Sequence, residues 1–269
     1  MKMDIKFWRT LFYMYRARII PVLLLRDKGL IKTVKFKEAK YIGDPINAVR
    51  IFNDLHADEL VFLDIDASKQ NRNIDIEFVQ QVSKEANMPF SIGGGIKDIE
   101  TIRKYINAGS EKVIINSEAF FNPKLITEAV KEFGSSTIVV SMDVNKTFFG
   151  KQKVFVMSGK YNTKIDPVSY AQQIDNLGVG EIIVNSIYND GMLNGYDFNL
   201  IKEISQKVSV PVVALGGARD FHDFSKAINN SYASAVAAGS MFVFHGARKA
   251  VLINYPTKKE VKKLFTNIK

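Results

Sequence analysis

Short apolar runs rich in β-branched residues alternate with amphipathic segments along almost the whole chain. Runs of this kind predict buried strands, and the segments between them have the three-to-four-residue periodicity of helices. The pattern predicts strands at 19–25, 60–65, 89–93, 112–116, 138–143, 181–186, 210–215 and 234–238. It predicts helices at 45–55, 76–86, 99–108, 123–133, 167–177, 198–207 and 221–229. Three of these helices are expected to begin with a capping side chain followed by proline, at Asp44-Pro45, Asn122-Pro123 and Asp166-Pro167.

The regular alternation of strands and helices predicts parallel βαβ units, and eight such units can close a barrel. The predicted fold is therefore an α/β fold, a (β/α)8 TIM barrel, and a doubly wound open sheet is the alternative. The barrel domain is expected to span 16–269, after an N-terminal extension, 1–15, that is expected to be helical. This extension is interpreted either as a partner anchor or as a cap on the barrel floor. One face of its helix would carry Trp8, Leu11, Phe12 and Tyr15.

An internal repeat divides the predicted barrel into two similar halves. Three segments of the second half resemble segments of the first in the same order: GEIIVNS and DELVFLD, LGGA and IGGGI, AAGSMF and IINSEAF. Glu59 and Gly94 are 35 residues apart, as are Glu181 and Gly216. The matched order and spacing predict a half-barrel repeat with pseudo-twofold symmetry.

Composition narrows the classes of function. The absence of cysteine excludes disulfides, thiolate chemistry and cysteine-based metal sites, and it suits a reducing cytoplasm. An apolar fraction of 46% supplies a large core, but no apolar run reaches the roughly 18 residues of a membrane span. The formal charge of +9 favours anionic partners, which include phosphorylated metabolites, acidic proteins and nucleic acid.

Two glycine pairs at predicted strand ends are candidate phosphate sites. Backbone N–H groups in such a turn can point at an anion, and the following helix adds positive potential. Gly95 lies 22 residues before Ser117, and Gly217 lies 23 residues before Ser240. Either the glycines only permit tight turns, or each pair forms a phosphate cup with its serine. Two phosphate cups would fit a long ligand with a phosphate at each end.

Many motifs in order resemble the cyclase subunit of imidazole glycerol phosphate synthase. They run from Arg18 to about Phe244 and include RIIP, GDPINAV, ADELVFLDIDAS, PFSIGGGI and GVGEIIVNSIYNDGMLNGYD. The resemblance implies a (β/α)8 barrel without cofactor or metal, and a bis-phosphorylated substrate across its C-terminal face. It also implies a glutaminase subunit that docks at the N-terminal face and supplies ammonia. The implied phosphate-binding residues are Gly95, Asn116, Ser117, Gly191, Gly217, Gly239 and Ser240.

The resemblance also implies two catalytic carboxylates, at the ends of the first and fifth barrel strands. The second is present as Asp143, but Leu24 stands at the first position and cannot transfer a proton. Loss of a general acid or base typically costs about 10²–10⁴-fold in rate. We therefore expect the family's usual cyclisation to be severely impaired.

Other family features are retained. The resemblance implies a charged ring around the ammonia entrance at the N-terminal face, here named the gate: Arg18, Glu59, Lys112 and Glu181. Lys32, with the basic strip TVKFKEAKY that follows it, resembles the family's mobile substrate loop. The segment 146–165 is predicted to be a hairpin insertion over the active site, although plain loop packing is the alternative.

Leucine at the first carboxylate position, together with the ending AVLINYP, is similar to a branch associated with surface-polysaccharide biosynthesis. In that branch a synthase-like subunit and a glutaminase feed ammonia to a sugar-modifying amidotransferase. The first hypothesis is therefore an ammonia-delivering subunit for sugar amidination. The cyclase of histidine biosynthesis and a non-catalytic scaffold are the alternatives. The partners expected are the glutaminase, the sugar-modifying enzyme and a phosphorylated small molecule, and neither nucleic acid nor a membrane is expected.

Overall fold

A computed structural model describes residues 17–246 and 248–266 of the chain. The predicted N-terminal helix within 1–15 lies outside the described residues. Across the described ranges, every helix is too short or too polar to cross a membrane.

Eight parallel strands form a closed barrel, so the open-sheet alternative is wrong. Each barrel strand pairs with the next along the chain, and the last pairs with the first through Ile19 and Val236. With all strands numbered in chain order, the barrel strands are β1 Arg18–Arg26, β4 Leu60–Asp64, β5 Phe90–Gly93, β6 Lys112–Ile115, β7 Ile138–Lys146, β10 Glu181–Ser186, β11 Val212–Leu215 and β12 Ala235–Ala238. The predicted (β/α)8 barrel is thereby confirmed.

Ten helices are found in the described chain, and most of them lie between the barrel strands. They are α1 Pro45–Asp54, α2 Ile76–Glu85, α3 Ile99–Asn107, α4 Ser117–Phe121, α5 Pro123–Phe133, α6 Pro167–Asn176, α7 Phe198–Ser205, α8 Phe221–Ser231, α9 Ser240–Val243 and α10 Lys258–Thr266. The seven predicted helices are all present, and their ends differ from the predicted ones by two residues at most. The short helices α4 and α9 begin at the two serines of the predicted phosphate cups.

Two of the three predicted helix caps form as expected. The Asp44 side chain accepts from the backbone N–H of Asn47 at 2.8 Å, and that of Asp166 accepts from Ser169 at 3.1 Å. The prediction for Asn122 is wrong, because its side chain makes no capping hydrogen bond. Asn122 is also the residue that ends α4, with φ −138° and ψ 71°, so its backbone serves two adjacent helices.

Alternation along β1 divides the apolar core into two parts. Ile19, Leu23 and Leu25 pack in the large outer core between the strands and the helices. Ile20 and Val22 point inward and belong to a separate cluster that fills the barrel interior, here named the lumen. The other buried members of this cluster are Val61, Ile114, Val139, Ile183, Val213, Leu215, Ala235 and Ala237.

Two strand-built excursions cover the C-terminal end of the barrel, here named the mouth. The first is an antiparallel hairpin of β2 Gly29–Val34 and β3 Lys37–Gly43, where a mobile loop was expected. It forms because β1 extends past its pairing with β12, which ends at Pro21, and its free edge then pairs with β2, Leu24 with Ile31. The second, β8 Gln152–Val156 with β9 Tyr161–Asn162, extends β7 and confirms a hairpin in 146–165. A short pair, β13 Phe244–His245 and β14 Ala250–Val251, follows α9.

Candidate functional site

A cavity of about 250 Å³ opens at the mouth, and the predicted catalytic Asp143 lies in it. Asp143 is 6% exposed and accepts hydrogen bonds from the side-chain amides of Asn116 at 3.1 Å and Asn185 at 2.9 Å. Burial raises the pKa of Asp143 to about 7, although the two amide donors oppose this shift. A carboxyl group with such a pKa can accept or release a proton near neutral pH.

Leu24 occupies the position where the resemblance calls for the other carboxylate. Its side chain lines the same cavity as Asp143, together with Leu63 and Leu215. These three leucines, here named the leucine collar, contact the apolar lumen at its mouth end. The cavity that contains Asp143 is therefore apolar at the position of the family's other carboxylate.

Asp64, another acid of the cavity, is already engaged. Its carboxylate binds the Arg72 guanidinium at 2.5 Å and accepts from the backbone N–H groups of Asp66 and Ala67 at 3.0 Å. These contacts hold the β4–α2 loop in place. Asp64 therefore holds the loop in place and does not replace the carboxylate that is missing at position 24.

Lys32 lies in β2 and reaches into the mouth. It is 5% exposed, and its ammonium group donates to the backbone carbonyl of Val22. Burial lowers the pKa of Lys32 to about 8, while the charge of Asp190 opposes this shift. A Cβ atom on Gly239 would lie 2.5 Å from the Lys32 amine, so a glycine at this position admits the lysine.

Asp190 was not selected from the sequence. Its carboxylate accepts from the Thr33 hydroxyl at 3.5 Å and from the Phe36 backbone, and its carbonyl accepts from the Lys35 N–H at 3.0 Å. Burial raises its pKa to about 6, against the opposing charge of Lys32. Asp190 therefore ties the β2–β3 hairpin to the mouth. The sequence signal that could have identified Asp190 as a site residue is its position just after β10 and directly before Gly191.

The residues of the first predicted phosphate cup meet at the mouth. Gly95, Asn116 and Ser117 line the main cavity. Gly95 has φ +72°, and a Cβ atom there would lie 2.1 Å from the carbonyl oxygen of Arg72, so the turn requires glycine. The Ser117 hydroxyl accepts from the Met157 N–H at 2.9 Å, which brings the β8–β9 turn over this cup.

The second predicted cup is a smaller cavity that adjoins the first. Gly191, Gly217, Gly239 and Ser240 line it, as does Asp190. Gly191 has φ +70°, and a Cβ atom there would lie 2.4 Å from the Thr33 carbonyl oxygen, so the β2–β3 hairpin packs directly on this loop. The predicted phosphate-binding residues are thus gathered in two adjoining groups, and phosphate binding itself stays a prediction.

The four predicted gate residues form one ion-paired ring at the opposite end of the lumen. Arg18 binds both Glu59 and Glu181, and the Lys112 amine lies 3.3 Å from a carboxylate oxygen of each. The Ser91 hydroxyl donates to Glu59 at 2.9 Å. Two cations and two anions cancel, which offsets the cost of burying the glutamates.

Comparisons with known proteins agree with this architecture. The family model described as histidine biosynthesis protein matches residues 18–248. The chain therefore belongs to the histidine biosynthesis protein family.

Relatives place the chain more closely, among HisF-type subunits. It is 46% identical over 253 residues to a Vibrio vulnificus protein provisionally named imidazole glycerol phosphate synthase subunit hisF3. The matched region covers 94% of this chain and 97% of the relative. It is 49% identical over 243 residues to the provisionally named subunit hisF2 of Pseudomonas aeruginosa, covering 90% and 97%. The imidazole glycerol phosphate synthase subunit HisF of Alkaliphilus metalliredigens is 41% identical over 232 residues, covering 86% and 92%.

Proposed function

We propose that the chain is a synthase subunit that receives ammonia from a glutaminase and delivers it to an acceptor at the mouth. The observation that carries this proposal is the intact gate below a lumen that ends at Asp143 and the leucine collar. Ammonia is small and neutral, so an apolar lumen is a suitable route. The charged gate lies at the face where family glutaminases dock, as the resemblance implies.

The residues at the mouth support a chemistry that needs only one carboxyl group. Addition of ammonia to an electrophilic carbon forms one C–N bond and leaves an excess proton on nitrogen. The ionised form of Asp143 can take this proton, because its pKa is raised to about 7 by burial. Leu24 removes the second proton-transferring group that ring closure requires in the family. The proposed acceptor is the acetamido group of a sugar of surface-polysaccharide biosynthesis, activated on its carbonyl oxygen by the sugar-modifying enzyme. Ammonia forms the C–N bond at the carbonyl carbon, the activated oxygen leaves with the C–O bond, and an acetamidino group results.

A second candidate is the cyclase of histidine biosynthesis, which the names of the relatives favour. The two phosphate cups also suit a substrate with a phosphate at each end. Leu24 argues against this candidate, because it lines the cavity and its side chain has no proton to transfer.

An assay of imidazole formation separates the two candidates. The purified chain would receive an ammonium salt and the bis-phosphorylated precursor of the family reaction, so that no glutaminase is needed. We expect a rate at least 100-fold below that of an ordinary cyclase, consistent with loss of an acid or base. A rate within tenfold of an ordinary cyclase would reject the amidination hypothesis in favour of the second candidate.

A further inference from the structure

The turn between β7 and β8 presents two phenylalanine rings to solvent beyond the mouth. β7 continues past its parallel pairing with β10, which ends at Val144, and β8 returns along it from Gln152. Phe148 is 98% exposed and Phe149 is 86% exposed, which makes them the most exposed large apolar side chains among the described residues. Such a feature is unfavourable for a free surface and typical of an interaction site.

This turn has a defined conformation. The Thr147 N–H donates to the Lys151 carbonyl at 2.8 Å, and the Gly150 N–H donates to the Thr147 carbonyl at 2.9 Å. The two rings meet edge to face, with centroids 5.5 Å apart. The hairpin is also anchored below, because the Gln152 amide donates to Asp197 at 2.6 Å. The rings are therefore presented on an ordered hairpin, which reduces the entropy lost on binding.

The surface around the rings is strongly basic. Between Val144 and Ile165 the chain has five lysines and no aspartate or glutamate. Lys146 and Lys35 both lie over the Tyr188 ring, at 4.4 and 4.6 Å from its centroid. The basic surface thus continues from this hairpin to the β2–β3 hairpin. It complements an acidic partner surface.

A second aromatic pair links this surface to the cavity. Phe121 and Tyr161 are 52% and 50% exposed, and their ring centroids are 6.0 Å apart. Phe121 also lines the main cavity. A protein that covers the hairpin and this pair would therefore cover the opening through which a product of Asp143 leaves.

We propose that Phe148 and Phe149 anchor an acidic-surfaced protein that brings the ammonia acceptor to the mouth. The inference rests on the proposed function, in which ammonia emerges beside Asp143 and the chain lacks the second carboxylate for a ring closure of its own. The glutaminase is not the occupant, because in that function it docks at the gate, on the opposite face. Aromatic anchors at the centre of an interface, surrounded by complementary charge, are typical of binding hot spots.

Site-specific photo-crosslinking identifies the occupant. The full chain would carry p-benzoylphenylalanine at position 148 in its native host, together with its glutaminase. A matched chain would carry it at Ile51, which is 41% exposed on the outer side of α1, away from both the mouth and the gate. We expect position 148, and not position 51, to crosslink to a sugar-modifying enzyme. Crosslinks from position 148 only to another copy of the chain, to the glutaminase or to phospholipid would overturn the inference, as would no crosslink.

Reconstitution with the enzyme identified by crosslinking then measures how much Phe148 and Phe149 contribute to amination of the acceptor. The double variant Phe148→Ser/Phe149→Ser should lower glutamine-dependent amination of the acceptor at least tenfold at limiting chain concentration. Amination with an added ammonium salt should fall by a similar factor, because the acceptor must still reach Asp143, whereas binding of the glutaminase should be unchanged and Ile51→Ser should behave like the wild type. If the wild type and the double variant aminate the acceptor equally well with glutamine, the docking inference is wrong and the proposed function stands. If the wild type gives no glutamine-dependent amination, the proposed function itself fails.

Discussion

At the residue scale, Asp143 and Asn185 form an adaptable pair. Asn185 donates to one oxygen of Asp143, while its own side-chain oxygen is buried without a hydrogen-bond partner among the described residues. Rotation of the Asn185 amide by 180° would turn that oxygen toward a protonated Asp143. The pair can therefore accommodate either protonation state of the carboxyl, and this adaptability supports proton transfer.

The pKa of Asp143 predicts the pH dependence of stability. Because burial raises this pKa from 3.8 to about 7, the folded state retains a proton that the unfolded state releases between these values. The contribution of Asp143 to stability is therefore lost as pH rises through this window. Asp143→Asn should raise the free energy of unfolding at pH 8 relative to the wild type, by a few kcal/mol at about 1.4 kcal/mol per pKa unit. Urea unfolding at pH 5 and pH 8 measures it, and an equal effect at both values would contradict the assignment.

Leu24 is the residue whose replacement is most informative. Leu24→Asp places a carboxyl group in the cavity that contains Asp143, at the position the resemblance implies. If the rest of the site is preserved, this variant should increase imidazole formation from ammonium and the bis-phosphorylated precursor by at least tenfold. The control is Leu24→Asn, which has a similar shape but no titratable proton. No gain with aspartate, or an equal gain with asparagine, would show that the site has diverged beyond this residue.

At the element scale, the excursions at the mouth are held by contacts that join distant segments. Asp190 binds the turn of the β2–β3 hairpin, and Ser117 binds the β8–β9 turn. A Cβ atom on Gly159 would lie 3.2 Å from the Phe36 ring, so the two excursions also approach each other. The two hairpins that cover the mouth are therefore held in position by Asp190 and Ser117, which also line the predicted phosphate cups.

Helix capping offers a matched pair of substitutions. Asp44 caps α1 with a 2.8 Å hydrogen bond, whereas Asn122 precedes α5 without one. Asp44→Ala should lower the free energy of unfolding by about 1 kcal/mol, the usual value of a cap. Asn122→Ala should cost clearly less, and thermal and urea unfolding of both variants would measure the difference. A larger loss for Asn122→Ala would contradict the capping assignment.

At the scale of the whole molecule, the lumen joins two polar ends of opposite character. The gate is a neutral ring of paired charges, and the mouth combines the buried carboxyl groups of Asp143 and Asp190, a buried lysine and two glycine-lined cups. Between them lie the apolar side chains of the inner cluster. This arrangement suits a small neutral molecule that enters at one end and reacts at the other.

Removal of one gate cation tests the ring. Lys112→Met leaves Glu59 and Glu181 with Arg18 alone, and an unpaired buried charge costs on the order of 3 kcal/mol. We expect a comparable loss in the free energy of unfolding, and weaker transfer of glutamine-derived ammonia than of added ammonium. Lys84→Met, at an exposed position of α2, is the control. Wild-type stability of Lys112→Met would argue against a coupled ring.

Anion binding tests the two cups together. Crystals soaked in sulfate should show density near Gly95 and Ser117, and near Gly217 and Ser240, because each group has turn N–H donors at a helix start. Density at one cup alone would indicate a mono-phosphorylated ligand. Empty cups at high sulfate concentration would contradict phosphate binding in both halves.

The sequence by itself determined the alternation of eight strands with helices, because local signals repeat in every unit. Apolar runs, capping residues such as Asp44 and glycine pairs at strand ends act within a few residues, whereas the pairing of β12 with β1 that closes the barrel joins the two ends of the chain. The gate residues and Asp143 were expected from the resemblance to the family, which rests on motifs of the sequence alone. The order of matched motifs then indicated the family.

Only the tertiary structure decided what surrounds the reactive groups. The pKa shifts of Asp143, Asp190 and Lys32 arise from burial and from partners far away in the sequence, which no local pattern encodes. The expected substrate loop became the β2–β3 hairpin because β1 has a free edge beyond the end of its pairing with β12. The exposure of Phe148 and Phe149 likewise depends on where β7 ends relative to its neighbours, since an aromatic pair in a sequence reads equally well as core. Burial, long-range pairing and exposure are properties of the closed barrel, and therefore they become visible only once it has formed.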